Sequence, residues 1–309
     1  MAMPQRADAF GLRKALLQIR SAALAPPSRM KPSEWGEAKL ELSTQTTGKP
    51  GPLRFFPYQK GIVDAAVEPG VEQIWLMKSA RVGLTQSIAV LKSYFLEHTA
   101  SPILAIFPTE RNARDFEKDY IRTLVEDNEC LRAILPDMED QEWHTKTTTR
   151  RSVLRLRQAV IYNNFRAYNA RLASADEIDA SEYDKKAGEG DKLALLLDRT
   201  KGFDDGVMLA GSTPTIAGRS RVEAGYLRGD QRRRFLPCPE CGEFQYLEWG
   251  SPDVPHGVKW PDDKPEEAYY VCRHNGCVIE HHQKVRIPLC QGSCPPLYFS
   301  SISQVGGIG

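Results

Sequence analysis

Apolar positions in this chain fall into short, nearly continuous runs separated by stretches of helical period. Ile74-Trp75-Leu76-Met77, Ile103-Leu104-Ala105-Ile106-Phe107 and Gly206-Val207-Met208-Leu209-Ala210 have the length and density of strands buried on both faces. Helical patterns occupy Lys60 to Ala66, a segment starting near Gln86, Glu110 to Glu126 after the turn at Pro108-Thr109, and residues 185 to 200 after Gly188 and Gly190. Arg155 and Arg157 alternate with Val153, Leu154 and Leu156 in a strand-like pattern. The alternation predicts an α/β domain over residues 51–235, a parallel sheet with helices on both faces. Ahead of it, residues 1–50 hold a possible helix (Phe10 to Leu24), a break at Pro26-Pro27 and a polar stretch.

The loop after the first apolar run carries the first chemistry. Lys78-Ser79-Ala80-Arg81-Val82-Gly83-Leu84-Thr85 lies between a strand and a helix, where backbone N–H groups and the helix dipole favour phosphate. On the G-x-x-x-x-G-K-[ST] template Gly83 and Thr85 fall in register. Leu84 occupies the usual lysine position, and Lys78 stands where the first glycine would be. Downstream, Arg171-Leu172-Ala173-Ser174-Ala175-Asp176-Glu177 reads as a modestly apolar strand ending in two carboxylates. In a nucleotide hydrolase the first acid holds Mg²⁺ and its neighbour activates water. Equally open is a helix start, with Ser174 and Glu177 as a capping box. The run ending at Ala210 leads into Gly211-Ser212-Thr213-Pro214-Thr215, whose hydroxyls suit either a γ-phosphate sensor or an ordinary turn. Upstream, Phe55-Phe56-Pro57-Tyr58-Gln59 offers an aromatic to stack on adenine and an amide for its edge; core packing of the aromatics is the alternative.

Taken in order, these elements resemble the large terminase subunit of lambda-type tailed bacteriophages, the ATPase of the DNA-packaging motor. The matching segments are Ser33-Glu34-Trp35, Phe56-Pro57-Tyr58-Gln59, the Lys-Ser-Ala-Arg-Val-Gly loop, Asp176-Glu177-Ile178-Asp179 and Glu189-Gly190-Asp191. Arg199-Thr200-Lys201, Gly211 to Thr215, Gly229-Asp230-Gln231-Arg232-Arg233 and a Cys-Pro-x-Cys-Gly continue them, covering roughly residues 30 to 282. That family carries its loop lysine early, which accounts for Lys78. The resemblance implies an additional-strand, RecA-like P-loop NTPase that couples ATP hydrolysis to movement of double-stranded DNA into a procapsid. It implies that Lys78 and Thr85 contact phosphate and Mg²⁺, that Asp176 is the metal-side acid and that Glu177 is the catalytic acid. Ser212 and Thr213 then belong to the coupling motif, and Tyr58 and Gln59 to the adenine site. Ser79, Ala80, Val82 and Leu84 complete the loop; Arg81 either contacts phosphate or senses hydrolysis. The implied partners are DNA, a small terminase subunit and the portal of the procapsid, with a working homo-oligomer in the bacterial host cytoplasm.

Cys238-Pro239-Glu240-Cys241-Gly242 and Cys272-Arg273-His274-Asn275-Gly276-Cys277 are spaced to bring four thiolates to one structural Zn²⁺ in a zinc-ribbon-like subdomain over residues 236–284. His274 is a possible substitute ligand because the second pair is wide; a four-cysteine site leaves no open position for catalysis. Cys290 and Cys294 lie in a tail of residues 285–309 and are expected to bind nothing. Cys130 reads as an ordinary thiol.

Composition changes little. Charged residues make up 26% with a net charge of +1, so no global basic field exists, and any DNA contact must use local patches. Arg219, Arg221, Arg228 and Arg232-Arg233-Arg234 form one such candidate, Arg150-Arg151 with Arg155 and Arg157 another; solvated surface is the alternative for both. No apolar run approaches the roughly 18–20 residues needed to span a bilayer. Two departures from the family set expectations. Ala173, Ser174 and Ala175 are small where such strands are strongly apolar, which predicts loose packing under Asp176. The family's C-terminal nuclease is expected to be absent, as in a truncated or frameshifted copy from a decaying prophage. A catalytically dead remnant that only binds DNA or the small subunit, and a helicase-like DNA-stimulated ATPase, are the competing functional readings.

Overall fold

The computed structural model describes residues 30–44, 50–80, 82–98, 101–135, 146–148, 153–158, 168–183, 191–250, 253–280, 282–283 and 300–302. Residues 1–30 and 31–309 separate into two units, and everything below concerns the second. The expected helix of Phe10 to Leu24, Cys290, Cys294 and Arg81 lie outside the described residues.

Seven strands form the main sheet: β1 (Gln73–Met77), β2 (Ile103–Phe107), β3 (Lys146–Thr148), β4 (Val153–Gln158), β5 (Leu172–Asp176), β6 (Val207–Ser212) and β7 (Ser300–Ile302). Their order is β7-β1-β6-β5-β2-β4-β3. The five central strands are parallel, and β7 and β3 are antiparallel to β1 and β4 at the two edges. A segment near the end of the chain thus pairs with the strand that feeds the phosphate loop, Ser301 opposite Ile74.

The central strands β1, β2, β5 and β6 are buried on both faces, and alternation decides which side chain goes where. Trp75, Leu104, Ile106, Ala173, Ala175, Met208 and Ala210 share one buried cluster with Leu193, Leu196 and Val222. The last three come from helices α6 (Lys192–Asp198) and α7 (Arg221–Arg228). The intervening residues Ile74, Leu76, Ile103, Ala105 and Leu209 are equally buried on the opposite face. The loose packing expected under Asp176 is not found. Ala173, Ser174 and Ala175 are all at most 4% exposed, because a central strand lets flanking helices approach closely when its side chains are small. The capping-box alternative fails with it: Ser174 lies inside β5, and no helix starts there.

The other longer helices are α1 (Pro32–Lys39), α2 (Pro57–Ala65), α3 (Leu84–His98), α4 (Glu110–Phe116) and α5 (Thr123–Asp127), and a single helical turn follows at Glu129–Arg132. The helical run expected from Glu110 to Glu126 is continuous, but Glu117–Arg122 winds as a π-helix. Glu117 is fully buried there and accepts two 3.2 Å bonds from the Arg122 guanidinium five residues on, the spacing at which π-winding aligns side chains. Lys92 of α3 is also buried, with its ammonium 4.2 Å from the Phe116 ring centroid and 5.2 Å from that of Phe107. Burial pulls its pKa down to about 7, against the pull of nearby Asp176.

Beyond α7 the chain forms two small antiparallel units. Leu236–Pro237 pairs with Phe244–Gln245, and Gly257–Lys259, Tyr269–Val271 and Val278–Ile279 form a three-stranded sheet.

Candidate functional site

Register builds the site. Met77 lies opposite Ser212, and Asp176 opposite Gly211, so β1, β5 and β6 end on one line. Segments leaving the carboxyl ends of parallel strands converge there, the usual place for a ligand in an open α/β sheet. The Lys78 amide donates to the Ser212 carbonyl at 3.1 Å, tying the start of the phosphate loop to the end of β6.

The loop turns at Gly83, whose φ of +71° is open to glycine at little cost. A Cβ there would lie 2.7 Å from Gln59 Nε2. α3 follows, with the Ser87 amide donating to the Gly83 carbonyl, and Thr85 stands in its first turn. Gln59 and Tyr58 hold the loop from behind: Gln59 Nε2 donates to the Val82 carbonyl at 3.1 Å, and the Tyr58 hydroxyl donates to the same oxygen at 2.8 Å. Gln59 Oε1 accepts from the Phe56 amide, so both ends of that amide are engaged within the protein. Of the neighbouring aromatics, Phe55 is core, while Phe56 is exposed and stacks on Tyr58.

Across the loop, Lys78 Nζ lies 2.8 Å from Glu177 Oε1. Glu177 sits at φ +49°, a left-handed conformation that costs a non-glycine residue about 1 kcal/mol. The turn presents its carboxylate beside the loop, with Ser212 Oγ 3.5 Å away. Asp176, at the strand end, accepts from the Glu177 amide. Burial pushes its carboxyl above the usual range, and Lys78 pulls it back. Lys78 and Glu177 therefore line one pocket, with Asp176 buried next to Glu177 at the strand end.

Sequence reasoning missed several groups here. Tyr183 donates its hydroxyl to the Asp176 carbonyl at 2.9 Å, fixing the backbone of the acid. Asp179 accepts from the Arg221 and Val222 amides at the start of α7 and from Thr215, while its own amide donates to Ser212 Oγ. The acidic turn, the Ser212-Thr213 segment and α7 are thereby one hydrogen-bonded assembly. Only Asp179 had a sequence signal, as part of the Asp-Glu-Ile-Asp run.

Two cavities flank the loop, both bordered by Lys78. One, about 580 Å³, is lined among others by Gln59, Gly83, Thr85, Gln86, Glu177 and Thr213. The Gln86 amide there is buried, with neither its nitrogen nor its oxygen bonded among the described residues. A cation, a carboxylate, hydroxyls and an unsatisfied amide around such a volume fit a polar, phosphate-bearing ligand with its metal. The other, about 470 Å³, is mainly apolar and includes Tyr58, Lys78 and Ser79.

Residues 47–293 match the family model for the phage terminase large subunit gpA, ATPase domain. The chain belongs to that family. The terminase large subunits of Enterobacteria phage P21 and Escherichia phage lambda are each 29% identical to it over 266 residues, 84% of this chain and 41% of theirs. The chain thus spans about two fifths of the length of these curated relatives. The crystal structure of the HK97 bacteriophage large terminase aligns with a TM-score of 0.47 at 15% identity, over 59% of this chain and 37% of that one. The family match continues past residue 282, where the motif-by-motif likeness ends, to residue 293.

In this terminase-family chain the two small antiparallel units carry the cysteines. The sulfurs of Cys238, Cys241, Cys272 and Cys277 lie within 4.8 Å of one another, and Cys241 and Cys272 are 3.8 Å apart. Four thiolates around one tetrahedral ion with metal–sulfur bonds of about 2.3 Å stand roughly 3.8 Å apart, so the cluster fits a metal. Each pair sits on a tight turn, the Gly242 amide donating to the Cys238 carbonyl and the Gly276 amide to that of Cys272. His274 is not in the cluster; its Nε2 contacts the Phe244 carbonyl at 3.1 Å, because four sulfurs already complete the set.

The arginines considered as a basic patch are largely dispersed. Arg221 donates to the Ile178 carbonyl, Arg228 stacks on Trp75, and Arg232 pairs with Glu68 and Asp230. Arg233 lies over the Tyr246 ring, while Arg219 is exposed. The side chains of Arg150, Arg151, Arg155 and Arg157 lie outside the described residues.

Proposed function

We propose that the chain binds and hydrolyses ATP as the motor of a phage terminase, driving double-stranded DNA into a procapsid. The observation that carries this reading is the 2.8 Å contact between Lys78 and Glu177 at the mouth of a cavity that also reaches Thr85 and Thr213.

In hydrolysis a water oxygen forms a bond to the γ-phosphorus as the bond to the β–γ bridging oxygen breaks, releasing ADP. Glu177 is placed to accept the proton of that water. In this structure its carboxylate is held by Lys78, whose side chain is only 10% exposed. When a triphosphate enters, its oxygens compete for the ammonium, which frees Glu177 to act as base. The loop lysine then both binds substrate and restrains the base until substrate arrives. Thr85 and Asp176 would hold Mg²⁺, which would supply charge neutralisation. Ser212 and Thr213 are suited to register loss of the γ-phosphate, since Ser212 Oγ donates to Glu177 and accepts from the Asp179 amide, and the Asp179 side chain holds the first amides of α7.

The purified chain with Mg²⁺ is expected to release phosphate from ATP, and Lys78→Ala to reduce the rate to background. Turnover retained in Lys78→Ala would refute the site. Family membership also points to the small terminase subunit, the portal and a homo-oligomer as partners in the host cytoplasm. Among the described residues no helix is long and apolar enough to cross a membrane. Double-stranded DNA is expected to stimulate turnover.

The cysteine cluster we assign to a structural Zn²⁺ in a zinc-ribbon-like subdomain, because four sulfurs in this small, core-poor unit leave no ligand position for chemistry. Elemental analysis of the purified protein should find one zinc per chain, lost on Cys272→Ser. Chelation should melt the subdomain, since such units draw most of their folding energy from the metal. Protein purified from zinc-containing medium without bound metal would exclude the assignment.

A further inference from the structure

The second cavity beside the phosphate loop is built by two parts of the chain that sequence reading treats separately. Tyr58, Met77 and Val82 form the wall on the sheet side, while Arg234, Leu236 and Leu247 close it from the segment leading into the cysteine subdomain. Leu236 opens the first cysteine hairpin, and Leu247 follows its second strand.

Arg234 is the unusual member. Its Nη2 is buried and has no hydrogen-bond partner among the described residues. The other arginines of the same basic run have found carboxylates or rings, as described above. Burial lowers the pKa of Arg234, and its side chain and that of Tyr58 both line the cavity. A desolvated guanidinium nitrogen without a partner is costly, and such groups persist where a ligand completes them. The cavity is largely apolar, of a volume that suits a small ligand, and bordered at one end by Lys78 and Ser79. An aromatic ring, aliphatic walls and one directed donor are what a purine and its ribose require; the carboxylate and hydroxyls suited to the phosphates line the other cavity.

We propose that Arg234 is a ligand of the base and ribose end of bound ATP, supplied in cis by the segment entering the cysteine subdomain, with Leu236 and Leu247 facing Tyr58 across the base. The proposal rests on the ATP-binding reading above. It makes the cysteine subdomain part of the nucleotide site, so that whatever orders the subdomain also completes the pocket.

The test is a binding titration of the full chain with a fluorescent N-methylanthraniloyl ATP, together with competition by ATP and by inorganic tripolyphosphate. Arg234→Ala is expected to weaken ATP by at least about tenfold, the loss that follows from removing a hydrogen bond to a charged group. Tripolyphosphate, which has no base, should compete as it does with the unaltered chain. Arg234→Lys should recover part of the affinity, because a single ammonium replaces a fork of donors. Unchanged thermal unfolding of both variants would show that the loss is local. ATP affinity unaltered in Arg234→Ala, or an equal loss for ATP and tripolyphosphate, overturns the proposal while leaving ATP binding intact if Lys78→Ala still abolishes it. Absence of nucleotide binding by the unaltered chain overturns both.

Discussion

Replacing Glu177 by glutamine is expected to lower ATP turnover by about 10³-fold while leaving nucleotide affinity within a few-fold. A positioned general base contributes typically 10²- to 10⁴-fold, and a 10³-fold loss corresponds to about 4 kcal/mol of transition-state stabilisation. Glutamine preserves the shape of the side chain and still offers an oxygen to Lys78 and Ser212, the two groups that hold Glu177. It cannot take a proton. The loss should therefore fall on kcat and not on binding, the signature of an interaction made in the transition state. Binding should tighten slightly, since Lys78 no longer has to leave an ion pair to meet phosphate. Steady-state phosphate release and the fluorescent-nucleotide titration separate these quantities. A kcat within about tenfold of the unaltered chain would remove Glu177 from the role of base.

The second large effect is structural. Gly225→Ala should destabilise the protein by about 3 kcal/mol, in the range for overpacking a well-filled core. On an exposed helix the same change stabilises by roughly 0.5–1 kcal/mol, because alanine is the better helix former. Here overlap decides the sign: an added Cβ would lie 2.0 Å from Trp75 Cε3 and 2.1 Å from Cδ2. The indole has little room to give way. It is 4% exposed in the middle of β1, donates to Gln73 Oε1, and is covered by the Arg228 guanidinium. α7 must shift instead, and its first amides are held by Asp179, two residues beyond Glu177. Thermal unfolding should register a drop of several degrees, accompanied by slower ATP turnover. A variant as stable as the parent would show that α7 does not pack as described.

The parts of the site written in one local stretch were readable in advance. The loop from Lys78 to Thr85 could be recognised because strand, glycine turn and helix follow each other directly, and β5 could be placed because Asp176-Glu177 ends an apolar run. Where local pattern supported two readings, packing chose between them. Ser174 looked equally fit to cap a helix until its place between β2 and β6 buried it. Small residues in β5 suggested weakness, whereas they allow close approach of neighbouring helices. Lys92 carried no signal, since a lysine within a helical pattern is ordinarily solvated, and only the two phenylalanines above it show otherwise. The π-turn at Glu117 was invisible for the same reason: it answers to a buried acid and its arginine, not to helix propensity.

By itself the order of residues determined that this chain alternates buried strands with helices, that a lysine precedes a glycine turn, that two acids end a strand, and that four cysteines come in two pairs. Those are short-range properties, set by hydrophobic period, turn chemistry and spacing. The tertiary structure decided that β6 lies between β1 and β5, and so that Lys78 meets Glu177. It also gathered the cysteine pairs into one cluster and turned Arg234 towards the cavity beside Tyr58. Strand order and side-chain encounters of this kind depend on how distant apolar surfaces fill one another's gaps, and that volume-filling is shared across the whole chain rather than written in any one segment.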